Sequence, residues 1–266
     1  MADYAAFDGS EGRISYRVWP IESPRQVVIL AHGYGEHIGR YEHVAAALVA
    51  VNSAVAGPDH LGHGHSEGER ALITDFDAVV DDLHHVTSAL RERHPDRPTI
   101  LIGHSLGGLI AARYAQRHGD ELDGLVLSAP VLGSWSTATG LLALPEIPDE
   151  PLDISLLSRD PAVGAAYTAD PLVYHGPFKQ QLLRAIAGTL QVVNTGPGLG
   201  DLPTLWLHGQ EDRLVPLTET QQGIESLAPQ HLTTRVYQGA RHEVYNETNS
   251  AEVLRDTTEF IEGLHG

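Results

Sequence analysis

Thr99-Ile100-Leu101-Ile102-Gly103-His104-Ser105-Leu106-Gly107-Gly108-Leu109-Ile110-Ala111-Ala112 runs apolar, turns at a serine, and continues in small and apolar residues. The first part reads as a strand buried on both faces and the second as a helix, joined by Gly103-His104-Ser105-Leu106-Gly107, a G-x-S-x-G turn. Such a turn forces the serine into a strained backbone conformation among crowded neighbours. Gly103 and Gly107 relieve the crowding because neither has a Cβ. The helix that follows directs its positive dipole and free N–H groups at Ser105.

Outward from the turn, short apolar runs alternate with amphipathic stretches, the pattern of a mostly parallel sheet flanked by helices. Val27–Ala31, Ser53–Ala56, Thr99–Gly103, Gly124–Ser128, Thr204–Leu207 and Thr233–Tyr237 read as strands, and Arg13–Trp19 alternates like a half-exposed edge strand. Phe76, Val79, Val80, Leu83, Val86 and Leu90 recur at helical spacing, with Thr74 placed to cap that helix and Pro95 beyond its end. Leu106 to His118 forms a second helix stopped by Gly119, and Ala251 to Leu264 a closing one. Residues 131–202 break the rhythm: they contain no clear strand and are rich in proline, glycine and leucine. The expected organisation is a core of residues 1–130 and 203–266 with a cap (lid) inserted at 131–202, above the carboxyl edge of the sheet.

A serine hydroxyl attacks only when a base takes its proton. In an α/β-hydrolase fold, which the strand–turn–helix context of Ser105 predicts, an acid and then a histidine follow the serine in chain order. Asp212, on the loop after the Thr204–Leu207 strand, is the expected acid, with Glu211 and Asp201 as rivals. His242 alone among 16 histidines follows the last strand in the right place; most of the others are expected at the surface. Two backbone N–H groups should face the oxyanion, those of Leu106 and of Tyr34 in His32-Gly33-Tyr34-Gly35.

His32-Gly33-Tyr34-Gly35-Glu36-His37 with Gly39-Arg40-Tyr41 resembles the oxyanion segment of monoacylglycerol lipases and the related bacterial lysophospholipases and esterases. Asp59-His60-Leu61-Gly62-His63-Gly64-His65-Ser66, the Ser105 turn, Tyr167-Thr168-Ala169-Asp170-Pro171-Leu172 and His208-Gly209-Gln210-Glu211-Asp212-Arg213 resemble further segments of that family, in order along the chain. The resemblance implies cofactor-free cleavage of a fatty-acid ester of glycerol or a simple alcohol. Glu36, Arg40, His104 and Tyr167 would shape or support the polar alcohol end of the site. Tyr34 stands where the family often carries a smaller or aliphatic residue. Leu141, Leu142, Leu144 and Ile147 form either the lip of an acyl tunnel or merely the cap core.

The 266 residues carry a net charge of −18, which disfavours nucleic acid and anionic membranes as partners. The expected partner is a small lipid ester, with transient contact between cap and lipid surfaces. The absence of cysteine excludes disulfides, thiol catalysis and zinc–thiolate sites. No stretch is apolar enough to span a bilayer, and the start, Met1 to Asp8, shows neither a basic nor an apolar leader, so a cytoplasmic location is expected. Asp59, His60, His63 and His65 fit no metal motif, and His242-Glu243-Val244-Tyr245-Asn246 begins like a zinc-protease motif but lacks its second histidine, so no metal is expected. His84 and His85 read as surface neighbours. Three other readings stay open: a general carboxylesterase or lysophospholipase, a peptidase anchored by Glu146, Asp149 or Glu150, and a ligand receptor that retains the triad without turnover.

Overall fold

The structure is a computed structural model that describes residues 3–150 and 152–264. Met1 and Ala2, read above for a leader, lie outside the described residues, as do Pro151 of the 131–202 segment, His265 and Gly266. Eight strands form one sheet: β1 (Asp3–Asp8), β2 (Arg13–Trp19), β3 (Gln26–Ala31), β4 (Ser53–Pro58), β5 (Thr99–His104), β6 (Gly124–Ser128), β7 (Thr204–Gly209) and β8 (Leu232–Tyr237). Their order is β1-β2-β4-β3-β5-β6-β7-β8. The β1/β2 and β2/β4 pairs are antiparallel, and every pairing from β4 through β8 is parallel.

The helices are α1 (Glu42–Ala50), α2 (Phe76–Arg93), α3 (Leu106–His118), α4 (Ser136–Leu142), α5 (Pro161–Ala169), α6 (Gln180–Thr195), α7 (Leu217–Leu227) and α8 (Ser250–Gly263). Strand alternation divides the core in two. In β3, Val27, Ile29 and Ala31 join the cluster packed against α2, α3, α6 and α7, while Val28 and Leu30 join the one packed against α1 and α8. Covered on both faces, β3 through β7 are buried at every residue. The 131–202 segment contributes only helices among its described residues, and Leu182, Leu183, Ile186 and Leu190 of α6 belong to the same cluster as α2 and α3.

Several local expectations change. Arg13–Trp19 is not the edge; β1 pairs with it along its whole length and takes the edge position. Polar Asp3, Tyr4 and Asp8 leave β1 with little apolar alternation to read. Asp75, not Thr74, caps α2, its carboxylate accepting from the N–H groups of Asp77 and Ala78 at 2.8 and 3.3 Å. Helix α3 does end at His118, but Gly119 stays right-handed (φ −64°) and the chain tightens into a 3₁₀ turn over Gly119–Glu121. His84 is half-buried, against the Tyr114 hydroxyl at 3.1 Å and stacked on His118, so only His85 is exposed as expected.

Candidate active site

Ser105 stands between β5 and α3 with φ 53° and ψ −117°, a positive-φ conformation that costs a side-chain-bearing residue energy. The surroundings enforce it. A Cβ on Gly103 would lie 2.2 Å from the Gly107 carbonyl oxygen, and one on Gly107 would lie 2.1 Å from that of Ala31. Helix, sheet and turn thus close on each other with hydrogen only between them. The Ser105 N–H donates to Ser128 O at 2.9 Å, holding the turn to β6.

The three predicted residues converge. The Ser105 hydroxyl lies 2.9 Å from His242 Nε2, and His242 Nδ1 lies 2.7 Å from Asp212 Oδ2. All three are buried, whereas the rivals Glu211 and Asp201 are exposed. The other oxygen of Asp212 accepts the N–H groups of Leu214 and Val215, both at 2.9 Å, so its carboxylate is fixed before His242 approaches. Burial pushes the His242 imidazolium down, but the facing Asp212 carboxylate and its hydrogen bond outweigh that, and the pKa is raised. Burial likewise pushes Asp212 up, yet His242 holds it below the ordinary carboxylate value. The result is an ionised acid, a basic imidazole held in one tautomer, and a hydroxyl in reach of it.

Leu106 is the first residue of α3, so its N–H has no carbonyl a turn earlier to bond. The loop after β3 comes close from the other side: a Cβ on Gly33 would lie 3.2 Å from Ser105 Cβ. Glu36 shapes that loop, accepting the Gly33 N–H at 2.6 Å and the Tyr41 hydroxyl at 2.7 Å. Among the described residues neither the Leu106 nor the Tyr34 N–H donates to another protein group.

Glu36, Arg40, His104 and Tyr167 all line the cavity at Ser105. Arg40 bonds Glu36 at 2.5 Å and clasps Glu243 with two bonds of 2.8 Å, while its guanidinium covers the Tyr167 ring at 5.0 Å. Burial pushes Glu243 up, but Arg40 holds it below the ordinary glutamate range. Sequence reasoning missed Glu243; its only signal was its place next to His242. His104 packs 4.9 Å from the His242 ring and is pushed down to about 4 by burial and by His242, which keeps it neutral.

The expectation that most other histidines are surface groups misses six of them. His104 and His208 are buried within β5 and β7, and His32, His37, His60 and His63 are buried on the loops that follow β3 and β4. His37 pairs with Asp170 at 2.8 Å, and Tyr174 N–H donates to Gly35 O at 2.7 Å, which docks that segment onto the oxyanion loop. The Asp59 oxygens accept the Ile38 and His65 N–H groups, both at 2.8 Å, so this loop spends its carboxylate on structure. His84, His118 and Glu121 bring ligand atoms within 4.8 Å of one another, but Arg91 already bonds Glu121 at 2.5 Å.

The cavity at Ser105 has apolar walls that include Trp135, Leu152, Leu157, Phe178, Ile186 and Leu214. Phe178 and Trp135 are further lining residues that sequence reasoning did not find. Leu141 and Ile147 line a second, outer cavity, Leu142 packs on the core, and Leu144 is exposed.

Fold and site together define a serine hydrolase of the α/β-hydrolase fold. The model of a family described as "Serine aminopeptidase, S33" matches residues 22–249. A monoacylglycerol lipase of Mycolicibacterium smegmatis is 40% identical, over 96% of this chain and 95% of its own. Human monoglyceride lipase is 35% identical, over 87% of this chain and 80% of its own. The crystal structure of Paleococcus ferrophilus monoacylglycerol lipase superposes with a TM-score of 0.80 at 26% identity, covering 96% of this chain and 100% of the other. The chain belongs to this family of serine hydrolases, in the branch that contains the monoacylglycerol lipases.

Proposed function

We propose that the protein hydrolyses monoacylglycerols to fatty acid and glycerol, with Ser105 as nucleophile, His242 as general base and acid, and Asp212 as the orienting carboxylate. Ser105 Oγ attacks the ester carbonyl carbon as its proton passes to His242 Nε2. The Leu106 and Tyr34 N–H groups stabilise the oxyanion, each contributing about 3 kcal/mol, roughly a hundredfold in rate. Collapse breaks the ester C–O bond, and His242 protonates the departing glycerol oxygen. A water molecule, deprotonated by His242, then attacks the acyl-enzyme, and the fatty acid leaves as Ser105 regains its proton. The chemistry requires no cofactor.

One observation carries the substrate assignment. The cavity at Ser105 is bordered on one side by the ion-paired Arg40, Glu36 and Glu243 with the neutral His104, and on another by Tyr34, Leu152, Tyr167 and Phe178, which it shares with a large, mostly apolar cavity. A site open to polar walls at one end and apolar walls at the other suits a hydrophilic alcohol esterified to a long acyl chain. Glu36, Arg40 and His104 then border the glycerol end, Tyr167, with Arg40 over its ring, stands between the two ends, and residues 131–202 form the cap. We further propose that the cap meets lipid surfaces transiently; among the described residues no helix is long and apolar enough to cross a membrane.

The test is hydrolysis of a panel from p-nitrophenyl acetate to palmitate, beside monoacyl-, diacyl- and triacylglycerols, with Ser105→Ala as control. The expected result is preference for monoacylglycerols and loss of all turnover in the variant. Activity confined to short simple esters reduces the protein to a general carboxylesterase, and cleavage of alanyl or prolyl amides favours a peptidase.

A further inference from the structure

We propose that the stacked pair Tyr34–Phe178 divides the acyl path into an inner chamber at Ser105 and an outer acyl-binding cavity, and so sets the chain length that the protein binds best. The idea rests on the ester-hydrolase reading of the site but is tested apart from turnover.

Tyr34 belongs to the loop after β3, and Phe178 precedes α6. Their rings stack with centroids 4.6 Å apart and planes 17° from parallel. Both residues line both cavities, as do Leu152 and Tyr167, so these four form the shared wall. The pair is clamped from each side. Trp135 meets Phe178 edge-on at 6.1 Å and is itself fixed by its indole N–H, which donates to Leu214 O at 3.0 Å. Tyr174 meets Tyr34 edge-on at 6.2 Å, and its own N–H is bonded to Gly35 O. Rings held in this way do not swing aside at the cost of a single rotamer.

The Tyr34 hydroxyl oxygen is shut off from solvent and has no hydrogen-bond partner among the described residues. What Tyr34 supplies to the free protein is therefore ring area, which a smaller side chain would leave as open passage. Beyond the partition, the outer cavity is lined by Leu141, Ile147, Leu152 and Ile154 with the aromatic rings. An acyl chain short enough for the inner chamber ignores the partition; a longer one must pass it to gain the outer apolar surface. Each methylene that gains burial improves affinity about fourfold.

The experiment is calorimetric titration of hexanoate, octanoate, laurate and palmitate, each below its micelle concentration, into Ser105→Ala, Ser105→Ala/Phe178→Ala and Ser105→Ala/Phe178→Trp. In the parent, affinity is expected to climb with each methylene and then level off. Phe178→Ala should move that break to longer chains, raising the palmitate-to-octanoate affinity ratio roughly tenfold or more, the worth of two or three methylenes. Phe178→Trp should move it to shorter chains. Opposite shifts in the two variants cannot arise from general damage to the fold. A parent affinity that climbs without a break through palmitate overturns the proposal, as does a ratio unchanged or shifted the same way in both variants. Failure of the ester-hydrolase reading would be seen separately, in the hydrolysis panel.

Discussion

His242 is tuned by its neighbours in a direction that activity can report. The Asp212 carboxylate, with Glu243 and Glu36 behind it, outweighs the burial that would otherwise lower the imidazole pKa. Only the neutral ring accepts the Ser105 proton, so kcat/KM must rise with pH as His242 loses its charge. We expect the acid limb of the profile to have its midpoint above 6.5, the ordinary histidine value. A midpoint at or below that value would mean that the carboxylates around the ring do not act as described. Ser105, Asp212 and His242 were legible in the sequence because each follows a recognisable strand, apolar before Ser105 and Asp212 and rich in β-branched residues before His242. Glu243 was not, because its partner Arg40 is 203 residues away and only the folded loops bring the two together. Phe178 escaped for the same reason: nothing in its local sequence marks a ring that stacks on the oxyanion loop.

Among the elements, the β5–α3 turn is the most constrained, and its glycines allow a sharp comparison. A methyl group on Gly107 would collide with backbone, the carbonyl oxygens of Ala31 and His32, neither of which can yield without moving β3 and the oxyanion loop. Gly107→Ala should therefore cost about 1–3 kcal/mol or more of stability, read in urea unfolding, together with most of the ester hydrolysis. Gly188, inside α6, has nothing within 4 Å of an added Cβ, so Gly188→Ala should stabilise by about 0.5–1 kcal/mol and leave turnover intact. Equal effects at both sites would contradict the steric account. The central strands were legible as continuous apolar runs, whereas β1 was not: a polar edge strand defined by its pairing to β2 leaves little hydrophobic signal. Helices α1 and α7 were also missed. The first is a run of alanines and valines that suits strand or helix, and the second hides its apolar positions Ile224 and Leu227 among glutamines and threonines.

At the scale of the whole molecule, the buried histidines make stability depend on acid. Burial pushes His60 down to about 3, His63 to about 4 and His104 to about 4, and His32 falls well below its ordinary value. Unfolding returns each to about 6.5. Their contribution to stability is therefore whole above that pH and is lost as pH falls toward the folded values, because only the unfolded chain takes up the protons. Each such histidine steepens the loss by about 1.4 kcal/mol per pH unit. Urea unfolding between pH 7 and pH 4.5 should show stability falling with a slope of several protons, and a flat profile would contradict the buried neutral state of these rings. The −18 charge adds repulsion that salt screens, so the profile should be compared at one ionic strength.

Acylation of Ser105 is the central step of the proposed reaction. The most direct test is to treat the protein with a long-chain alkyl phosphonate ester, which mimics the tetrahedral intermediate, and to locate the adduct by mass spectrometry. One adduct per chain on the peptide that carries Ser105, absent from Ser105→Ala and strongly slowed in His242→Ala, is the predicted result. An adduct on another residue, or equal labelling of the Ser105→Ala variant, would contradict it.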